Sequence, residues 1–252
     1  MRVLILGANG FIGSAVTLGM IQHGHQVFAV ARDIAAGQRR LWEAEWIKVD
    51  LARLLTPKDW RPLLRGVDAV VNCAGALQDS ARDNVEALQL RAMQALYAAA
   101  PRAMLVVQVS ARTDGAARDT AFLASKHAAD EALKASGLSH VILRPAVVIG
   151  RGAYGGSALL RGLAAMPFVT PVLAPKSAIQ FAAIDDVVAA VADALGGKLP
   201  DRTDIEIAGP RKWTLAEAVA RHRQWLGLAP AKTIPVPRWI GRIVAAGADQ
   251  LA

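Results

Sequence analysis

A single cysteine, Cys73, leaves this 252-residue chain unable to close an intrachain disulfide and without a cysteine-rich metal site. No uninterrupted apolar run reaches the length needed to span a bilayer, although 54% of the residues are hydrophobic. Met1-Arg2 leads straight into an apolar stretch rather than a signal peptide. Together these absences point to a cytoplasmic setting. Basic runs are missing too, because the formal charge of +8 comes from arginines scattered over helix surfaces and loops. Neither a helix-turn-helix nor an aromatic stacking motif accompanies them, so no nucleic-acid partner is expected. The charge suits a soluble surface that attracts a polyanionic ligand. Internal repeats and disordered linkers are also absent, and the length is ample for one α/β domain with a substantial core.

What the chain does have is concentrated in its first two dozen residues. Val3-Leu4-Ile5-Leu6 is wholly apolar, as suits a strand buried on both faces of a parallel sheet. It stops at Gly7, and glycine returns at Gly10 and Gly13. From Phe11 the spacing turns helical, with Ile12, Val16 and Met20 on one face up to Gly24, and a second strand follows over Gln26 to Ala31. Gly7 allows the sharp turn, Gly10 lets the backbone approach a pyrophosphate, and Gly13 lets the helix pack against the sheet. Unpaired amides and the helix dipole favour negative charge at that helix start. Gly7, Asn9, Gly10, Phe11, Ile12 and Gly13 are therefore candidate dinucleotide contacts.

Arg32 lies just past the second strand, where the adenosine ribose sits in dinucleotide folds. A cation there suits the 2′-phosphate of NADP(H) better than the free hydroxyls of NAD(H). A third strand, Trp46 to Val49, delivers Asp50-Leu51 to the same sheet edge, and Thr56-Pro57 starts a helix. The fourth strand, Val67 to Asn72, runs into Cys73-Ala74-Gly75, small enough for a nicotinamide-side ribose to lie close to the backbone. Cys73 itself reads as a packed side chain rather than a nucleophile. From Asn84 a helix turns Val85, Leu88, Ala92 and Leu96 to the sheet, and a fifth strand, Met104 to Val109, ends at Ser110. A helix over Arg118 to Ser136 places Phe122 and Lys126 on one face, four residues apart. Val141 to Leu143 is a sixth strand, and the stretch from Gly150 to Pro175 reads as a substrate-side flap. A strand over Ile179 to Ile184 precedes an alanine-valine helix capped by Asp185-Asp186, and a short strand covers Asp204 to Ala208. Thr214 and Glu217 form a capping box. The apolar stretch Trp239 to Ala246 ends without a cap at Ala252, so membrane association is expected only through an extension beyond that point.

The turn Gly7-x-x-Gly10-x-x-Gly13, Asp50-Leu51, and Asn72-Cys-Ala-Gly75 resemble those of a short-chain dehydrogenase/reductase. Asn84, Arg144-Pro145 and Ile184-Asp185-Asp186-Val187 narrow the resemblance to its extended and atypical branch. That branch includes nucleotide-sugar epimerases and the NADPH-binding accessory subunit of respiratory complex I. The resemblance implies a Rossmann-type, doubly wound parallel sheet with a small C-terminal substrate-side region. It makes residues 1–252 one NAD(P)-binding domain, with its cofactor part over about 1–145 and substrate-side segments at about 150–178 and 200–240. It adds Asp50, Leu51, Cys73, Ala74, Gly75, Lys126 and Pro145 to the cofactor-binding set, with no metal.

The family's catalytic pattern is a tyrosine, three residues and a lysine on one helix, with a serine or threonine from the fifth strand. Here that run is Phe122-Leu-Ala-Ser-Lys126, so the proton-transferring phenol is missing. Lys126 is expected to hold ribose hydroxyls. Ser110 matches the first serine of the strand-end signature, Thr113 stands nearer the usual catalytic position, and Tyr154 is a further hydroxyl on a loop. Two readings stand open. One is an NADP(H)-dependent oxidoreductase or epimerase-like enzyme acting on a small molecule. The other is a non-catalytic NADPH-binding structural or redox-sensing module.

Overall fold

The computed structural model describes residues 1–80, 83–112 and 120–237. Thr113, the expected helix start at Arg118, and Trp239 to Ala246 lie outside the described residues. Two compact units emerge: Met1–Ala146 with Ile184–Ile207, and Val147–Ala183 with the chain from Ala208 onward.

In the first unit β1 (Arg2–Leu6) feeds α1 (Phe11–Gln22) and β2 (Gln26–Ala31). Next come α2 (Ala35–Arg40), β3 (Glu45–Lys48), α3 (Pro57–Leu64) and β4 (Ala69–Asn72). Then follow α4 (Ala92–Ala99), β5 (Leu105–Val109), α5 (Ala121–Ala135) and β6 (Ser139–Pro145). The second unit supplies β7 (Val147–Ile149), α6 (Gly156–Ala165), β8 (Val169–Leu173), β9 (Ala178–Ile179) and β10 (Phe181–Ala183). Back in the first unit are α7 (Ile184–Leu195) and β11 (Thr203–Ile207), and the second continues with β12 (Trp213–Thr214), α8 (Leu215–Trp225) and β13 (Lys232–Val236).

Seven strands of the first unit form one sheet in the order β11-β6-β5-β4-β1-β2-β3, with every pairing parallel. The direction of winding reverses beside β1, which pairs with β2 on one side and β4 on the other. In open α/β sheets ligands bind at that reversal, beyond the carboxyl ends of the strands. The apolar run of β1 serves both faces of the sheet. Val3 and Ile5 pack with Val16 and Met20 of α1 and Val191 and Leu195 of α7. Leu4 and Leu6 pack with Trp60 of α3, Met93 and Leu96 of α4, and Leu133 of α5. This is the doubly wound Rossmann-type sheet that the motifs imply.

Local signals explain most helix starts. Thr56 and Asp59 form a reciprocal capping box ahead of Pro57. Thr120 accepts the Leu123 amide at the head of α5. Two places depart from the sequence-based expectation. Ahead of α4 the chain makes a π-helical turn over Ala87–Arg91, and Leu88, Ala92 and Leu96 still pack on the core beneath the sheet as their spacing implies, with Gln89 buried beside them. Asp185 and Asp186 sit inside the first turn of α7 rather than at its cap.

The second unit has its own small core of Leu160, Ala164, Val172, Ala218 and Val219. Short strand pairs frame it: β7 with β10, β8 with β13 in parallel, and β9 with β12 antiparallel. Thr214 and Glu217 form the expected capping box on α8. The stretch read as a flap is structured, because Leu160 and Ala164, four apart, give α6 a buried face. No helix among the described residues is long and apolar enough to cross a membrane.

Candidate functional site

The site starts at the glycine turn. Gly7 takes φ +72°, and a Cβ there would fall 2.8 Å from Ala74 Cα. A Cβ on Gly13 would stand 2.1 Å from the Gly7 carbonyl oxygen. Glycine at 7 and 13 is thus required by the chain's own packing. Gly10 differs: its φ is −73°, and an added Cβ meets nothing within 4 Å except the Gly7 oxygen at 3.2 Å. Its missing side chain leaves a gap directly at the start of α1. No side chain caps that helix and no acidic residue lies in its first turn. The amides of Phe11, Ile12 and Gly13 therefore have no intrahelical acceptor and present partial positive charge. This cradle fits a diphosphate.

Across from the turn, the end of β4 is held in place from below. Cys73 N–H continues the ladder to the Leu6 carbonyl at 3.0 Å. Asn72 Oδ1 accepts the Ala74 amide at 3.0 Å, while Asn72 Nδ2 donates to Gln108 Oε1 at 2.9 Å. Lys126 reaches this segment from α5. Its Nζ donates to the carbonyls of Ala74 at 3.0 Å and Val109 at 3.1 Å, bridging the ends of β4 and β5. Only 5% of Lys126 is exposed. Burial pushes its ammonium below the usual range, with Asp130 and then Cys73 pulling the other way. Burial also pushes the Cys73 thiol up to about 12, against the charge of Lys126, which keeps it protonated at neutral pH.

One turn beyond Lys126, Asp130 is fully buried. Its Oδ2 accepts from Ser110 Oγ at 2.6 Å and from Arg144 Nη1 at 2.8 Å. Arg144 also grips Asp204 with two donors, at 2.7 and 2.9 Å, and the Ala111 carbonyl at 2.9 Å. Desolvation drives the Asp130 carboxyl upward, opposed by the Ser110 hydrogen bond and by Arg144 and Lys126. The Ser110 proton is committed to Asp130. Phe122 is half-buried and carries no exchangeable side-chain proton.

The remaining candidates lie along the same carboxyl ends. Asn9 donates to the Asp33 carbonyl at 2.7 Å, tying the glycine turn to the end of β2. Arg32 is exposed and forms an ion pair with Asp83 at 2.8 Å. Asp50 accepts the Ala52 amide as cap of a single 3-10 turn that contains the buried Leu51. Pro145 ends β6, opposite Ile207 of β11. The turn, the Cys73–Gly75 segment and Lys126 thus converge, whereas Arg32 and Asp50 mark the neighbouring β2 and β3 ends. Gln89, Gln108 and Asp130, all buried, belong to no motif in the sequence, and Asn72 stands there only as the first residue of the family-like run Asn72-Cys-Ala-Gly75. Asp130 was open to detection, four residues after Lys126 on one helix face.

Residues 7–162 match the sequence profile of a family described as NAD(P)H-binding. A ceramide reductase of Caulobacter vibrioides is 30% identical over 193 residues, covering 74% of this chain and 58% of that protein. The chain thus spans under two thirds of that relative's length. An uncharacterised sugar epimerase of Bacillus subtilis, YhfK, is 29% identical over 154 residues, 58% of this chain and 71% of its own. Among solved structures, the NAD+ complex of the Bordetella bronchiseptica enzyme WbmH superposes with a TM-score of 0.75. The two share 18% identity over 93% of this chain and 85% of that one, a likeness of fold.

Proposed function

Because the chain belongs to the NAD(P)H-binding family, we propose that it is an NADP(H)-dependent oxidoreductase, or an epimerase-like enzyme, of the extended and atypical short-chain class, with its proton supplied from somewhere other than residue 122. The observation that carries this reading is Lys126: a buried ammonium fixed by two carbonyls and, among the described residues, with no third partner, so that it can donate to a ligand beside Cys73–Gly75. A lysine kept in so costly a place fits a binding task better than a packing one. The ceramide reductase relative supports the oxidoreductase assignment.

In this reading the first-turn amides of α1 hold the diphosphate, and Gly10 leaves it room. Arg32 turns from Asp83 to the 2′-phosphate. Lys126, beside Gly75, would donate to a hydroxyl of the nicotinamide-side ribose. The bound nicotinamide supplies the hydride. Phe122 closes that side without offering a proton, and Ser110 keeps its own proton on Asp130. A small-molecule substrate, no nucleic acid and a cytoplasmic location belong to the same proposal.

Two measurements test it. Titrating tryptophan fluorescence should give tighter binding of NADPH than NADH by about tenfold, the worth of one charge-assisted contact. Arg32→Ala should erase the difference, and equal affinities in the unaltered protein remove the NADP(H) preference. Phe122→Tyr places a phenol four residues before Lys126, and should raise NADPH-linked carbonyl reduction by about 100-fold, the scale of a positioned general acid. Ketone-bearing long-chain amides and nucleotide sugars are the substrates to try. If NADPH binds but neither form reduces any of them, the second reading stands. That reading is a non-catalytic NADPH-binding structural or redox-sensing module, and Phe122 is the observation that favours it.

A further inference from the structure

Gln89 sits on the π turn ahead of α4 and is 2% exposed. Its Nε2 donates to Ser125 Oγ at 2.9 Å, and Ser125 in turn donates to the Phe122 carbonyl at 3.0 Å. A serine hydroxyl has one proton. With that proton on Phe122, Ser125 can only accept from Gln89, which fixes the amide nitrogen toward α5 and turns the amide oxygen the other way. That oxygen has no hydrogen-bond partner among the described residues. Buried acceptors without partners are rare and costly, so each calls for an explanation.

Its direction supplies one. A Cβ added to Gly75 would meet Gln89 Oε1 at 3.0 Å and Lys126 Nζ at 3.6 Å. The unpartnered oxygen and the lysine, whose ammonium bonds only the Ala74 and Val109 carbonyls among the described residues, thus flank a single point above Gly75. One is an acceptor and the other a donor, the pair that a hydroxyl group satisfies by donating to the first and accepting from the second. π turns within helices often mark functional positions.

We propose that Gln89 is a cofactor-binding residue whose amide oxygen accepts a hydrogen bond from the sugar hydroxyl that Lys126 donates to, over Gly75. This rests on the dinucleotide reading above. It assigns specificity for the second ribose to a side chain on the π turn.

The test compares whole dinucleotides with halves that lack the second ribose: NADPH with 2′,5′-ADP, and NADH with ADP, by calorimetry. Gln89→Met keeps the side chain's length and apolar stem while removing the oxygen. It should weaken the dinucleotide by about tenfold and change the half-molecule by less than about twofold. Gly75→Ala, which puts a methyl group at the meeting point, should show the same pattern and carries the test if Gln89→Met does not fold. Dinucleotide affinity unchanged in Gln89→Met, or equal losses for whole and half, overturns the contact while leaving the cofactor reading intact. Unaltered protein that takes up neither dinucleotide overturns both.

Discussion

Gly13→Ala should cost about 3 kcal/mol of stability or more, at the upper end for overpacking, and abolish dinucleotide binding in whatever remains folded. The added methyl would stand 2.1 Å from the Gly7 carbonyl oxygen and 2.8 Å from its carbon. Both are backbone atoms of the same tight turn, so nothing can rotate aside. The neighbouring Gly10→Ala makes the control. Its φ of −73° suits alanine, and its only close neighbour is the Gly7 oxygen at 3.2 Å, so stability should change by less than about 1 kcal/mol. Binding should nevertheless fall by tenfold or more (about 1.4 kcal/mol), since the methyl fills the gap at the uncapped helix start. Urea unfolding and dinucleotide titration on both variants separate the two roles. A Gly10→Ala protein that binds as well as its parent would show that the gap holds no phosphate.

That contrast also marks what could be read from the chain alone. The strand-turn-helix unit was legible because its signals are local: an apolar run at Val3 to Leu6, three spaced glycines, and a 3.6-residue period from Phe11. The capping boxes at Thr56 and Thr214 were legible for the same reason. The division of labour among the glycines, by contrast, depends on Ala74 lying against Gly7, a contact between chain positions 67 residues apart (74 − 7). Lys126 could be placed on a helix face from its spacing, but its partners at Ala74 and Val109 come from two other strands. The helix after Asn84 keeps Leu88, Ala92 and Leu96 on the core as its spacing implies, whereas the π turn over Ala87–Arg91 leaves no mark in that spacing. The stretch after Gly150 reads as loop because its glycines outweigh the short apolar face of α6. What that face covers is Val172 of β8 and, far along the chain, Ala218 and Val219 of α8.

Long-range pairing is equally what makes Arg144 a sensitive position. Arg144→Leu should destabilise the protein by about 3–5 kcal/mol, the cost of stranding a buried charge by removing its partner. Among the described residues Asp130 would keep only Ser110 on Oδ2, its Oδ1 having no partner there already. Asp204 would lose two hydrogen bonds but retain Lys134 at 3.0 Å and partial exposure, so most of the loss falls on Asp130. The pH dependence follows from the direction of the Asp130 shift. A carboxyl raised in the folded state binds its proton more tightly there than in the unfolded chain. Stability therefore drains away as pH climbs from the unfolded value of 3.8 toward the folded one. Removing Arg144 raises the folded value further and deepens that loss. The gap between variant and parent should be small near pH 4 and widen toward neutrality, as read by denaturant unfolding across that range. Asp130→Leu added to Arg144→Leu takes away the stranded charge along with its partner, and should recover more than half of the lost stability. A double variant no more stable than Arg144→Leu alone would mean that the guanidinium matters through Asp204 and the Ala111 carbonyl, at the end of β5, rather than through the charge buried beneath Lys126.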